Sequence, residues 1–185
     1  MVIGCLGWGS LIWDPRDLPV LGKWFDDGPL LPVEFARQSS DGRLTLVLVR
    51  GVKSVRILWA PLSVGTVADA REALRKREGV LEQNREKHIA AWSAGDPDDT
   101  ERSSISDWAR GLRLDAVVWT ALPPRFERQD MRVPTEDEAV AYLRGLPHEA
   151  RRFAERYIRM TPRQVDTVYR RRFELEFGWT PSEAP

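Results

Sequence analysis

Apolar residues in the first two thirds of the chain fall in short runs bounded by glycine, proline and small polar residues, which is a strand pattern. Residues 2–6 are one such run, ending in glycines and feeding a tight turn. Residues 30–36 and 44–49 are two more, and the second is expected to join a run at 54–59 in a hairpin across Gly51. A β-rich run at 116–121 is ended by Pro123 and Pro124. Residues 93–106 have no hydrophobic period and predict an exposed loop. The last third is helical. Thr135 and Glu138 form a capping box after Pro134, Gly145 closes that helix, and a second helix spans residues 148–160. Thr161 and Pro162 read as the cap and first position of a final helix toward Phe173. Strands mostly first and helices last, with one helix between strands, define an α+β fold with a mixed or barrel-like sheet.

The helix between strands is the most legible element. Thr66 caps it, Asp69 is placed to reach back to the cap's N–H, strong helix formers fill residues 70–76, and Gly79 stops it. At ~100° per residue, Val67, Ala70, Leu74, Glu78 and Leu81 share a sector of roughly 80°. Four of these five are apolar, so Glu78 is expected on the buried stripe at the negative end of the helix dipole, with no local partner. Burial and the dipole would both disfavour its ionised form, and a carboxyl held at that cost is a candidate for carrying protons; the alternative is a structural carboxylate that pairs with a buried arginine or points to solvent at a frayed helix end.

Composition narrows the function classes. The chain has 185 residues, 42% hydrophobic and 30% charged, enough for one well-buried core. Its formal net charge is zero, so no global field draws it to nucleic acid or an acidic membrane. One cysteine forms no internal disulfide and fits a reducing compartment. The first residues have no basic leader, and no stretch approaches the ~20 apolar residues of a membrane span, so a cytoplasmic protein is expected. Eight tryptophans serve chiefly as large core fillers, some of them candidates for lining a pocket.

Other chemistry is weaker. Cys5 lies inside an apolar strand, where an inert thiol is the expected state rather than a nucleophile served by His88 or His148. Two histidines without clustered carboxylates make no metal site. Arg151, Arg152, Arg156, Arg159, Arg163, Arg170, Arg171 and Arg172 are interleaved with Glu149, Glu155, Glu174 and Glu176. That favours a salt-bridged solvated face over an RNA-binding one. Glu82 and Glu86 lie on polar flanks and are expected in solvent. The stretch from Gly4 to Leu11 lacks Rossmann spacing and a P-loop lysine, yet its glycines could turn N–H groups toward a carboxylate or oxyanion.

Two motifs in order carry a resemblance. Gly7-Trp8-Gly9-Ser10-Leu11 resembles the Tyr-Gly-Ser-Leu signature of γ-glutamylcyclotransferase-like proteins, including the ChaC-type branch. Arg77-Glu78-Gly79-Val80, after a strand with Trp59 and a helix, is similar to that family's Glu-Gly-Val segment. The resemblance covers roughly the first half of the chain. It departs at Trp8, where the signature has tyrosine, and after Val80, where Leu81-Glu82-Gln83-Asn84 continues polar and helical. It implies a small, partly closed mixed barrel over residues 1–124, with residues 125–185 a helical extension packed on the same domain. It also implies cyclisation of a γ-glutamyl amide to 5-oxoproline, with Glu78 as acid–base residue and Trp8, Gly9, Ser10 and Leu11 binding substrate. No metal or organic cofactor is called for. The alternative is a non-catalytic module on the same fold, binding a small ligand or a protein through Trp8, Trp13 and residues 93–106.

Overall fold

The structure, a computed structural model, describes residues 1–97 and 103–182. The strands are β1 (Ile3–Gly7), β2 (Leu30–Leu31), β3 (Val33–Gln38), β4 (Leu44–Leu48), β5 (Val55–Arg56), β6 (Leu58–Leu62), β7 (Ile89–Ser93), β8 (Ala116–Thr120), β9 (Arg125–Phe126) and β10 (Gln129–Asp130). The helices are α1 (Val67–Glu78), α2 (Arg85–His88), α3 (Ser103–Gly111), α4 (Glu136–Gly145), α5 (His148–Met160) and α6 (Val168–Phe177), with a 3₁₀ turn at Glu82–Asn84. The α+β class stands. Among the described residues the strands form separate mixed sheets, not a closed barrel.

The chain divides into two compact units interleaved in sequence. One holds Met1–Gly7, Asp14–Leu31 and Arg56–Leu122, the other Trp8–Trp13, Pro32–Val55 and Pro123–Pro185. In the first unit a four-stranded sheet runs β6-β1-β8-β7. The wholly buried β1 sits inside it, antiparallel to β6 (Cys5 opposite Ala60) and parallel to β8 (Cys5 opposite Val118). Helix α1 packs on β7 and β8, burying Ala70 and Leu74 with Ile89, Val117 and Val118 in this unit's core. Trp59 on β6 stacks on Phe25 and meets the edge of Trp108, and its indole donates to Asp27 (2.8 Å).

In the second unit the sheet runs β10-β9-β3-β4, with α4, α5 and α6 supplying Leu143, Ile158 and Phe173 to a core that includes Phe35 and Phe126. Strand β4 pairs back with β3 around residues 39–43. The expected hairpin across Gly51 therefore does not form: β5, inside the 54–59 run, pairs with β2, and β6, which begins at the end of that run, pairs with β1. A strand with one half-buried face fits either partner, and the choice rests on non-local packing.

Helix boundaries follow their caps. The Thr135–Glu138 capping box is present in full. Thr66 accepts from the Asp69 N–H, but the Asp69 carboxylate accepts from the Thr66 hydroxyl (2.7 Å) rather than from its N–H. The final helix begins at Val168, not Pro162. Thr161 closes α5 instead, donating to the Tyr157 carbonyl (3.0 Å), and Thr167 supplies the cap of α6. Within the span expected as a loop, Ser93 ends β7 and Ser103–Gly111 is helix α3; residues 98–102 lie outside the described residues.

The β9–β10 hairpin turns through Glu127 (φ 49°) and Arg128 (φ 63°), left-handed positions that usually take Asn or Gly. A side chain there costs about 1–2 kcal/mol, partly offset by glycine's greater freedom when unfolded. Arg128→Gly is therefore expected to raise the unfolding free energy by about 0.5–1 kcal/mol in urea denaturation. A loss of stability would refute the strain.

Candidate functional site

Glu78 is the last residue of α1. Gly79 follows in the left-handed conformation (φ 66°), and the Val80 N–H returns to the Arg75 carbonyl (3.1 Å), a Schellman-type closure. The reversal takes Leu81 off the helical face, where it is 62% exposed, and Val67 is only half-buried. The inward stripe is Ala70, Leu74 and Arg77, with Glu78 at its margin, its side chain 17% exposed. The expected lack of a partner is corrected: Arg77 Nη1 donates to Glu78 Oε1 at 2.7 Å. The rest of that buried guanidinium donates to the Asp14 carbonyl, from Nη2 at 2.7 Å and Nε at 3.2 Å. Glu78 Oε2 accepts no hydrogen bond from the described residues. One carboxylate oxygen is clamped by Arg77 and the other is open.

Cys5 lies within electrostatic reach of this pair. Burial pushes its thiol well above the usual range, the charge on Glu78 adds to that, and Arg77 opposes it. Such a thiol stays protonated and is a poor nucleophile.

Trp8, Gly9, Ser10 and Leu11 belong to the second unit, and Glu78 to the first. Ile12 N–H donates to the Gly9 carbonyl (3.0 Å), closing a turn. Trp8 is buried, and its indole N–H donates to the carbonyl of Leu46 on edge strand β4 (3.1 Å). The N–H of the same Leu46 donates to the hydroxyl of Tyr157 on α5 (3.3 Å). Two side chains thus serve the outer edge of β4 where another strand would otherwise pair. The Trp8 side chain is committed to the fold. Ser10 is half-buried and Leu11 buried, and the Gly9 and Leu11 N–H groups have no hydrogen-bond partner among the described residues.

Sequence reasoning missed Tyr157 and Glu34. The only signal for Tyr157 is its place on the apolar face of α5. Glu34 interrupts an apolar strand run. It is 2% exposed, and its carboxylate accepts from Phe35 N–H (2.9 Å), the Thr167 hydroxyl (2.5 Å) and Tyr169 N–H (3.4 Å), so it caps the start of α6. Burial pushes its pKa from 4.5 up to about 6, against those hydrogen bonds. Between these values the folded chain holds the proton that the unfolded chain has lost. Its contribution to stability is thus full at low pH and lost as pH rises through about 6. Relative to Glu34→Gln, the wild type is expected to lose about 2 kcal/mol of unfolding free energy between about pH 4 and 7.5 in urea denaturation. A pH-independent difference would refute the titration.

Elsewhere several charges pair. Glu82 and Glu86 are exposed and bridge to Arg75, Arg85 and Arg71. Arg144, Arg159, Arg171 and Arg172 bridge to Glu176, Glu155, Asp166 and Asp137. Among the described residues, no three His, Cys, Asp or Glu side chains converge as a metal site, and no helix is long and apolar enough to cross a membrane. No protein-family model matches the chain, and no curated protein or solved structure matches it.

Proposed function

We propose that the chain is an enzyme of the γ-glutamylcyclotransferase type, cyclising a γ-glutamyl amide to 5-oxoproline with release of an amine. The observation that carries this reading is Glu78, half-buried at a helix end, with Oε1 fixed by Arg77 and Oε2 open. The resemblance of residues 7–11 and 77–80 supports it. In the reaction the substrate's α-amine attacks its own γ-carbonyl. A C–N bond forms in a five-membered lactam and the original amide C–N bond breaks. Because the nucleophile is tethered, proximity supplies much of the rate. Glu78 takes the proton from the attacking nitrogen and delivers it to the departing one. The resemblance assigns substrate binding to the turn at residues 8–11, whose backbone N–H groups suit a carboxylate or a developing oxyanion. A cytoplasmic location fits the single cysteine.

A second reading is a non-catalytic binding module. It is favoured by the commitments of Trp8 to Leu46 and of Glu78 to Arg77, which give both residues structural work. A panel of γ-glutamyl amides, with 5-oxoproline followed by mass spectrometry, separates the two. Release of 5-oxoproline from any member establishes the enzyme and ranks the amine side. Saturable binding with no release across the panel would replace the enzyme with the module.

A further inference from the structure

We infer that Tyr157 is a positioning residue for the turn at residues 8–11, holding its backbone in one conformation through contact with Gly9. As a statement about substrate, this rests on the reading proposed above. A Cβ at Gly9 would stand 2.3 Å from the Tyr157 hydroxyl oxygen and 3.2 Å from Cζ, so the hydroxyl occupies the place of a side chain at that position. The tyrosine cannot readily give way. Trp13 meets its ring edge-on at 5.5 Å, Phe35 does so at 6.3 Å, and the Arg43 guanidinium lies 5.3 Å from its centroid. The hydroxyl is also tied to the Leu46 N–H, whose own carbonyl holds Trp8. Gly9 therefore faces a fixed phenol, and the indole of its neighbour Trp8 is anchored to the same Leu46. Any side chain at residue 9 must displace the turn, because the phenol is wedged.

The consequence is a specific coupling between two residues far apart in sequence. Gly9→Ala should displace the turn, and Tyr157→Phe should make room for the added methyl by removing the atom it strikes. Both Tyr157→Phe and the double variant lose the acceptor for Leu46, so the informative comparison is Gly9→Ala against Gly9→Ala/Tyr157→Phe. Misplacement of a binding group by about 1 Å can cost on the order of 10²-fold. Gly9→Ala is expected to raise KM for the preferred γ-glutamyl amide at least about tenfold while kcat changes little, the mark of lost ground-state positioning. Adding Tyr157→Phe should return KM close to that of Tyr157→Phe alone. The ¹⁵N–¹H resonances of Ser10 and Leu11 should follow the same pattern, moving in Gly9→Ala and returning in the double variant. A silent Gly9→Ala, or a double variant whose KM and resonance changes are the sum of the single ones, would overturn the inference. If the wild type turns over no γ-glutamyl amide, the function proposed above has failed, and the resonance pattern alone then decides for or against Tyr157.

Discussion

Glu78→Gln is expected to lower kcat/KM on the preferred γ-glutamyl amide by about 10²–10⁴-fold, the range a positioned proton carrier supplies. The substitution suits the geometry. The glutamine carbonyl can still accept from Arg77 Nη1, and Gly79 still closes the helix, so the local fold has its partners. What is lost is the charge and the ability to take a proton at the open oxygen. Arg77 keeps its bonds to the Asp14 carbonyl, and the partly exposed side chain at 78 limits the electrostatic cost, so stability should fall by no more than about 1 kcal/mol. Initial rates of 5-oxoproline release, beside thermal unfolding followed by circular dichroism, read both quantities. Loss of turnover with an unchanged melt identifies Glu78 as the proton carrier. Turnover near that of wild type would show that its ion pair with Arg77 is structural and that the chemistry lies elsewhere.

Local rules carried the sequence reading as far as they reach. The ends of α1 and the capping box of α4 were legible because a cap is decided by residues three or four apart. The same reasoning carried the apolar stripe past Gly79 to Leu81, where the helix had already ended. It therefore overlooked Arg77, one residue from Glu78, as the inward side chain. Strand runs were found, but the partner of β4 was not, since alternation says which face is buried and not which strand lies alongside. The candidate turn was visible as a glycine-rich segment. Its supports were not, because Leu46 and Tyr157 are brought to it by tertiary packing that leaves no local mark.

Arg170→Met is expected to destabilise the chain by about 3–5 kcal/mol, the largest stability effect of any arginine in the helical third. In sequence Arg170 belongs to a run of three arginines that reads as solvated, and two of them are indeed exposed or partly exposed and ion-paired. Arg170, however, shares a face of α6 with Phe173 and Phe177 at helical spacing, and that face turns inward, leaving the residue 1% exposed. Its guanidinium donates from Nη1 to the carbonyls of Pro162 (2.5 Å) and Val165 (3.1 Å) and from Nη2 to that of Thr161 (2.7 Å), with Glu174 at 3.3 Å from Nε. These three carbonyls belong to the connection between α5 and α6, which contains no helix or strand. Methionine fills similar volume but leaves three acceptors without that donor, each worth about 1–3 kcal/mol if it stays dry, a sum that relaxation and water entry reduce. Arg170→Lys should recover only part of the loss, because an ammonium is a compact donor without the planar fork that reaches several carbonyls at once. Urea denaturation at neutral pH measures both variants. If Arg170→Met unfolds within about 1 kcal/mol of wild type, the connection is held by its own turn hydrogen bonds, such as Val165 N–H to Pro162, and the buried arginine merely accompanies it.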